Sequence, residues 1–283
     1  MPRLGSMSLK ISIVMLIAVS AIPSIIAPLG ADELHVVRVL AAGSLRMAMN
    51  ELGTAFSGAT NIPVQSGFGP SGVLRERIDN GEPVDLFASA DMGNPLTLAR
   101  AGKAGPVILF ARNRLCALVR PGLQVSPDTV LSTMLSPDIK LGTSTPKADP
   151  AGDYTWAMFA KAEAVRPGSR AQLEARALQL TGGPNSASAP AAMDIYAWHL
   201  REGHADIFVS YCSAGTGFGE ALPGATVVNL PPELATGADY GLTLLPTDNE
   251  NAAKFALFIL SQDGQAILAR NGFAAPLLLS ERR

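Results

Sequence analysis

From residue 35 onward, short apolar β-branched runs alternate with longer runs whose apolar residues recur every three or four positions. That alternation confines the chain to α/β architectures, in which helices cross between neighbouring, mostly parallel strands. Strand-like segments fall at 35–41, 62–67, 84–88, 106–111, 114–119, 139–143, 206–211 and 225–229. Helix-like segments fall at 45–57, 71–80, 92–101, 127–134, 153–165, 170–180, 190–202 and 249–270. Two stretches depart from the alternation. "VILFARNRLCALVRPG" joins two strand-like runs through a polar break, and "ADYGLTLLPTDNENAAKFALFILSQDGQAILARNGFAA" starts extended before turning helical. Both read as crossings between two lobes, an outer one of 32–113 plus 242–283 and an inner one of 114–241. Ligands of open α/β sheets bind beyond the carboxyl ends of the strands, which here means the cleft between the lobes.

The N-terminus reads differently. Arg3 and Lys10 precede "ISIVMLIAVSAIPSIIA", and small residues follow before Asp32. A charged start, an apolar centre and a small-residue exit make 1–31 a secretory signal peptide. A membrane anchor is the alternative for such a run, but Pro23 and Pro28 interrupt it and no basic cluster follows. No Cys sits at the exit, so the expectation is a periplasmic protein without a lipid anchor. Loss of Arg3 and Lys10 makes the formal net charge of −2 more negative still. A mildly acidic chain without a polybasic run is a poor partner for nucleic acid or anionic lipid. Export also bears on Cys116 and Cys212, which follow strand-like runs: they can form a single disulfide or remain two buried thiols.

Candidate functional residues sit where strands give way to helices. In "LAAGSLRMAMNELGTAFSG" an Ala-Gly-Ser turn separates a β-like run from a helix in which Leu45, Ala48, Met49, Leu52 and Phe56 share a face. Ser44 is an ordinary helix cap by position. The pattern recurs in "VQSGFGPSGVLRERIDNG", where Pro70 and two flanking glycines introduce a helix at Ser71. Two serine-headed helix starts at adjacent strand ends make a candidate anion site, because free amides and hydroxyls donate without adding charge. A carboxylate beside a bound dianion would repel it. Asp85 therefore reads as structural and Asp91 as a cap for the helix near Met92. His199 and His204 lack a nucleophile partner or metal-ligand spacing and read as solvated helix-end and turn residues.

The motifs "AAGSL", "GPSG", "VDLFASAD", "ADPAGDYTWAMF" and "FILSQDGQAILARNGF" occur in the order found in the molybdate-binding component of ABC importers, and the chain resembles that family from about 36 to 275. The resemblance implies a two-lobed type II periplasmic-binding fold, each lobe a mostly parallel sheet flanked by helices. It implies a monomeric solute-binding protein, without cofactor, metal-ion ligands or enzymatic activity, that delivers molybdate or tungstate to a membrane permease. It also implies contacts: hydroxyls of Ser44 and Ser71, backbone N–H groups at Ala151 and near Ala192, and a Tyr hydroxyl at a strand end. For the last contact the chain reads Val209-Ser210-Tyr211-Cys212-Ser213-Ala214, which places Ser210 where the family has Tyr and Tyr211 one residue late. A one-residue offset reverses a strand side chain, so Ser210 and Tyr211 are alternative donors. Sulfate, another oxyanion or a small organic anion in the same fold is the competing reading. A serine hydrolase is a remote one, since neither serine lies in G-x-S-x-G or S-x-x-K.

Overall fold

The computed structural model describes residue 2 and residues 36–276 apart from 192. The signal-peptide reading of 1–31 lies outside the described residues, as does the expected donor at Ala192. Apart from residue 2, the described residues belong to one compact unit, Leu34–Arg283.

The chain opens with β1 (Val37–Ala42), α1 (Arg46–Thr60), β2 (Val64–Gly69), α2 (Ser71–Asp79), β3 (Leu86–Ser89) and α3 (Gly93–Arg100). The twelve-residue β4 (Ile108–Val119) follows, then α4 (Val130–Leu135), β5 (Leu141–Ser144), α5 (Pro150–Val165), α6 (Ser169–Arg176) and β6 (Leu178–Thr181). The rest comprises α7 (Ile195–Arg201), β7 (Ile207–Tyr211), α8 (Phe218–Ala221), β8 (Thr226–Asn229), β9 (Gly237–Leu244), α9 (Asn251–Leu260) and α10 (Gln262–Arg270). The strands lie in the order β2-β1-β3-β9-β4-β7-β5-β6, with β8 also paired to β4. Pairs β1–β2, β1–β3, β5–β6 and β5–β7 are parallel, while β9 and β4 pair antiparallel with their neighbours.

One strand replaces two expected ones. The polar break at 111–114 does not end β4, because Arg112 and Arg114 are exposed while Ala111 and Asn113, alternating with them, are buried. Alternation of this kind suits a strand with one wet face. Its first part pairs with β9 up to Arg114↔Gly237; from Leu115 it pairs with β7, and from Cys116 with β8. The chain thus passes from one half of the sheet to the other inside β4. It returns between β8 and β9. Two other expectations shift. The helix expected over 170–180 ends at Arg176 and gives way to β6, and the long helix over 249–270 divides at Ser261, which caps α10 through Gly264 N–H.

A continuous apolar core runs through both halves, from Val37, Leu52 and Phe255 to Phe159, Ile207 and Val209. Cys116 of β4 and Cys212, just after β7, form a disulfide with Cα atoms 4.9 Å apart. Asp85 is fully buried and structural: it accepts from Arg38 N–H at 2.8 Å and from Thr247 Oγ1 at 2.8 Å. Burial pushes its carboxyl up, but the Arg38 backbone and side chain, Thr247 and Asn249 outweigh this and hold it below its usual value. Asp91 accepts from Asn94 N–H at 2.9 Å, in the first turn of α3.

Candidate functional site

Parallel register delivers two strand ends to one edge. Ala42 ends β1 opposite Gly69 at the end of β2, so the turns after both strands emerge side by side. After β1 a single 3-10 turn, Gly43–Leu45, carries half-buried Ser44, and α1 follows with no side-chain cap. After β2, Pro70 in an extended conformation leads directly into α2 at Ser71, again with no side-chain cap. Ser71 is completely buried, and its Oγ accepts from Ala90 N–H at 3.0 Å. That bond fixes the oxygen and leaves its own proton to give. Ser44 Oγ lies 2.9 Å from the Tyr240 hydroxyl, which also takes the Asn113 amide at 3.4 Å. Neither serine caps its helix. Arg46, two residues after Ser44, lies 4.5 Å above the Phe68 ring and adds positive charge to this wall.

The facing wall is built at the ends of β5, β6 and β7. The chain leaves Ser144 and Thr181 as register partners, joined by a hydroxyl–hydroxyl bond of 2.8 Å. Asp149 then caps α5: its Oδ1 accepts from Ala151 N–H at 3.0 Å, and Pro150 occupies the first helical position, where a missing N–H is harmless. Asp194 caps α7 in the same way, its Oδ1 taking Tyr196 N–H at 3.0 Å and Ala197 N–H at 2.8 Å. Desolvation pushes the Asp149 carboxyl up to about 6, against the Ala151 N–H and the Ser144 hydroxyl and with help from the charges of Asp153 and Asp91. Desolvation also raises Asp194, against the amides of Ala197 and Tyr196.

Between the walls lies a cleft of about 840 Å³, lined by Ser44, Ser71, Asp149, Asp194, Tyr196 and Tyr211 among others. Its size falls within the roughly 300–1,000 Å³ typical of organic-ligand sites. Tyr211 is 2% exposed and its ring packs edge-on to Tyr240, 5.6 Å between centroids. The walls meet at Gly72, whose N–H donates to Ala148 O at 3.1 Å. A Cβ at Gly72 would fall 2.8 Å from the carbonyl oxygens of both Lys147 and Ala148, so only glycine permits this approach.

Of the expected site residues, Ser44, Ser71 and Tyr211 come together on the cleft. Ser210 does not line it. As the preceding residue of β7 it points the other way, fully buried, toward the Tyr196 phenol. Ala151 sits at a helix start as expected, but its N–H is engaged by Asp149. His199 is a correction: it is buried rather than solvated, with Nδ1 3.2 Å from Nδ1 of His204, and desolvation lowers it to about 4. Asp149 and Asp194 escaped the sequence reading. Asp-Pro-Ala-Gly and Asp-Ile-Tyr are recognisable as cap signatures, yet nothing in them says that two caps face one cleft.

A curled sheet crossed by the chain at β4 and between β8 and β9, with a cleft beyond the carboxyl ends of its parallel strands, defines the type II periplasmic-binding fold. Proteins of this class hold a solute between two lobes. The model of the family described as bacterial extracellular solute-binding protein matches residues 37–274, and the chain belongs to that family. An uncharacterised protein of Pasteurella multocida is 36% identical over 206 residues, 72% of this chain and 85% of the relative. Among solved structures, the periplasmic molybdate-binding protein of Azotobacter vinelandii is similar at a TM-score of 0.69 and 20% identity, covering 85% of this chain and 100% of its own. The sulfate-binding protein SubI of Mycobacterium tuberculosis is similar at a TM-score of 0.69 and 18% identity, covering 85% and 87%. Among the described residues no helix is long and apolar enough to cross a membrane.

Proposed function

We propose that this solute-binding protein works in the periplasm for an ABC importer, capturing a small anion whose negative group sits between Ser44 and Ser71 and handing it to a membrane permease. One observation carries the reading: two helix starts without side-chain caps, one headed by Ser71 and the other reached through the 3-10 turn that carries Ser44, open side by side on the same cleft. Such a pair offers hydroxyl and amide donors, so a desolvated anion placed there keeps its hydrogen bonds. The Tyr211 hydroxyl faces them from the end of β7, with only a long 3.5 Å bond to Ala90 O to give up. Molybdate or tungstate is the particular anion suggested by the sequence motifs, and sulfate is the one bound by SubI.

Capture follows from closure of the two lobes, turning about the crossings inside β4 and between β8 and β9. Binding without turnover is favoured over hydrolysis, because among the described residues no histidine lines the cleft to act as base for either serine. The test is a thermal-shift titration of the mature chain against molybdate, tungstate, sulfate, phosphate and small organic anions. A ligand at 100 times its Kd adds about 2.7 kcal/mol to the folded state. An anion that raises Tm in the wild type and fails to do so in Ser71→Ala supports the reading. No shift with any anion sinks it.

A further inference from the structure

The two walls of the cleft differ in what they offer a ligand. The wall with Ser44, Arg46 and Ser71 presents donors and positive charge. The wall with Asp149 and Asp194 presents carboxylates, and each has consumed the amides that its own helix start would otherwise have offered. Among the described residues neither carboxylate has a Lys or Arg partner. A tetrahedral dianion with no proton to give would meet donors on one side and two acceptors of its own charge on the other. Such a contact is repulsive in a desolvated site, where Coulomb energies exceed their values in water several-fold.

Resting on the anion-binding reading above, we infer that the solute is an organic anion carrying its own hydrogen-bond donors, hydroxyl or ammonium groups. Its negative group lies against Ser44 and Ser71, and its donors reach Asp149 and Asp194. Three features agree with this assignment. Asp194 uses Oδ1 for both amide bonds, Tyr196 N–H and Ala197 N–H, which leaves Oδ2 as an acceptor for a ligand. Asp149 is held against Gly182, where a Cβ would fall 2.5 Å from its own Cβ, and Gly182 lines the same cleft. The cleft volume of about 840 Å³ suits a molecule with a carbon scaffold between its two polar ends. Buried acceptors of this kind also confer selectivity, since a ligand lacking the matching donor leaves them unpaired.

The decisive variants are Asp149→Asn and Asp194→Asn, because Asn caps a helix about as well as Asp and so keeps the fold while removing the charge. Wild type and both variants are titrated by calorimetry, with Ser71→Ala as the control for the anion wall. The probes are molybdate, sulfate and phosphate as bare oxyanions, gluconate and glycerol 3-phosphate as hydroxylated anions, and glutamate and phosphoserine as ammonium-bearing anions. The expected result is that a hydroxylated or ammonium-bearing anion binds at least tenfold more tightly than any bare oxyanion. Its affinity falls at least tenfold in Asp149→Asn or Asp194→Asn and in Ser71→Ala. Which of the two sets binds identifies the donor as hydroxyl or ammonium. If a bare oxyanion binds most tightly, the inference is overturned while the anion-site reading stands. Equal affinity of wild type and both Asn variants for an organic anion overturns it as well. If no probe binds, or binding survives Ser71→Ala undiminished, the anion-site reading falls and this inference falls with it.

Discussion

The two walls of the cleft use the same local architecture, a strand end followed by a helix start, and reach opposite chemistry with it. At α1 and α2 the helix starts carry serine hydroxyls directed elsewhere than their own amides. At α5 and α7 each helix start is closed by its own aspartate. The difference is one residue and its position. Ser71 is the first residue of its helix, where its side chain bonds to the neighbouring strand end at Ala90 rather than capping. Asp149 and Asp194 stand one residue before their helices, in extended conformation, where the Asp149 carboxylate accepts from the second amide of α5 and the Asp194 carboxylate from the second and third amides of α7. A helix start can offer its amides to an anion only where no side chain caps them.

The largest effect is expected from cutting the disulfide that ties the end of β7, in the carboxylate wall, to β4 beside it. Cys116 and Cys212 close a loop with a sequence separation of 96. A loop of roughly 100 residues corresponds to about 4.7 kcal/mol in the chain-entropy account. Replacing both by Ser is expected to lower Tm well beyond any single-site change discussed here, measured by calorimetry in oxidising buffer. A loss of under about 1 kcal/mol would show that the second wall stands without its staple.

Next comes the seam between the walls. Gly72→Ala puts a methyl 2.8 Å from two carbonyl oxygens of the opposite wall, and backbone cannot swing aside as a side chain can. A cost of about 1–3 kcal/mol is expected by the usual penalty for overpacking, read from urea unfolding, together with weakened ligand affinity. Unchanged affinity would mean that the contact between Gly72 and Ala148 is not needed in the ligand-bound form.

The third test separates charge from capping. Asp149 has its pKa raised by burial from an ordinary 3.8 to about 6, so between those values the native state binds more protons than the unfolded one. Stability from this group is therefore fully present at low pH and is lost as pH rises from about 4 to about 6. At pH 7 Asp149→Asn is expected to be more stable than wild type, by about 1–2 kcal/mol, with the gap closing toward pH 4. A variant less stable at pH 7 would show that the carboxylate contributes more as a cap than its charge costs. The smallest effect is expected on the serine wall, where Ser44→Ala removes one part-buried hydrogen bond to Tyr240. The stability cost is about 0.5–1.5 kcal/mol. Ligand affinity is the more sensitive readout there.

Much of this was legible in the residues. Periodicity located most of the strands and helices, and the paired Gly/Pro-Ser turns located Ser44 and Ser71, because a strand end, a turn and a helix start are local events. Where local pattern misled, a distant partner was the cause. The polar run at 111–114 looked like a break because the sequence does not show that β9 runs alongside, with Asp239 waiting 2.9 Å from the Arg112 Nε. The choice between Ser210 and Tyr211 was likewise open in sequence and depends on register, since Leu115↔Tyr211 pairing turns the tyrosine to the cleft.

The sequence by itself determined an α/β chain with serine-headed helix starts and two cysteines able to pair, since each follows from residues close along the chain. Only the tertiary structure decided that Asp149 and Asp194, 45 residues apart and ordinary as caps, share one cleft with those serines. The physical reason is that capping is satisfied within three residues, whereas the charge a ligand meets is summed over every group the fold brings within a few ångströms, whatever its place in the chain.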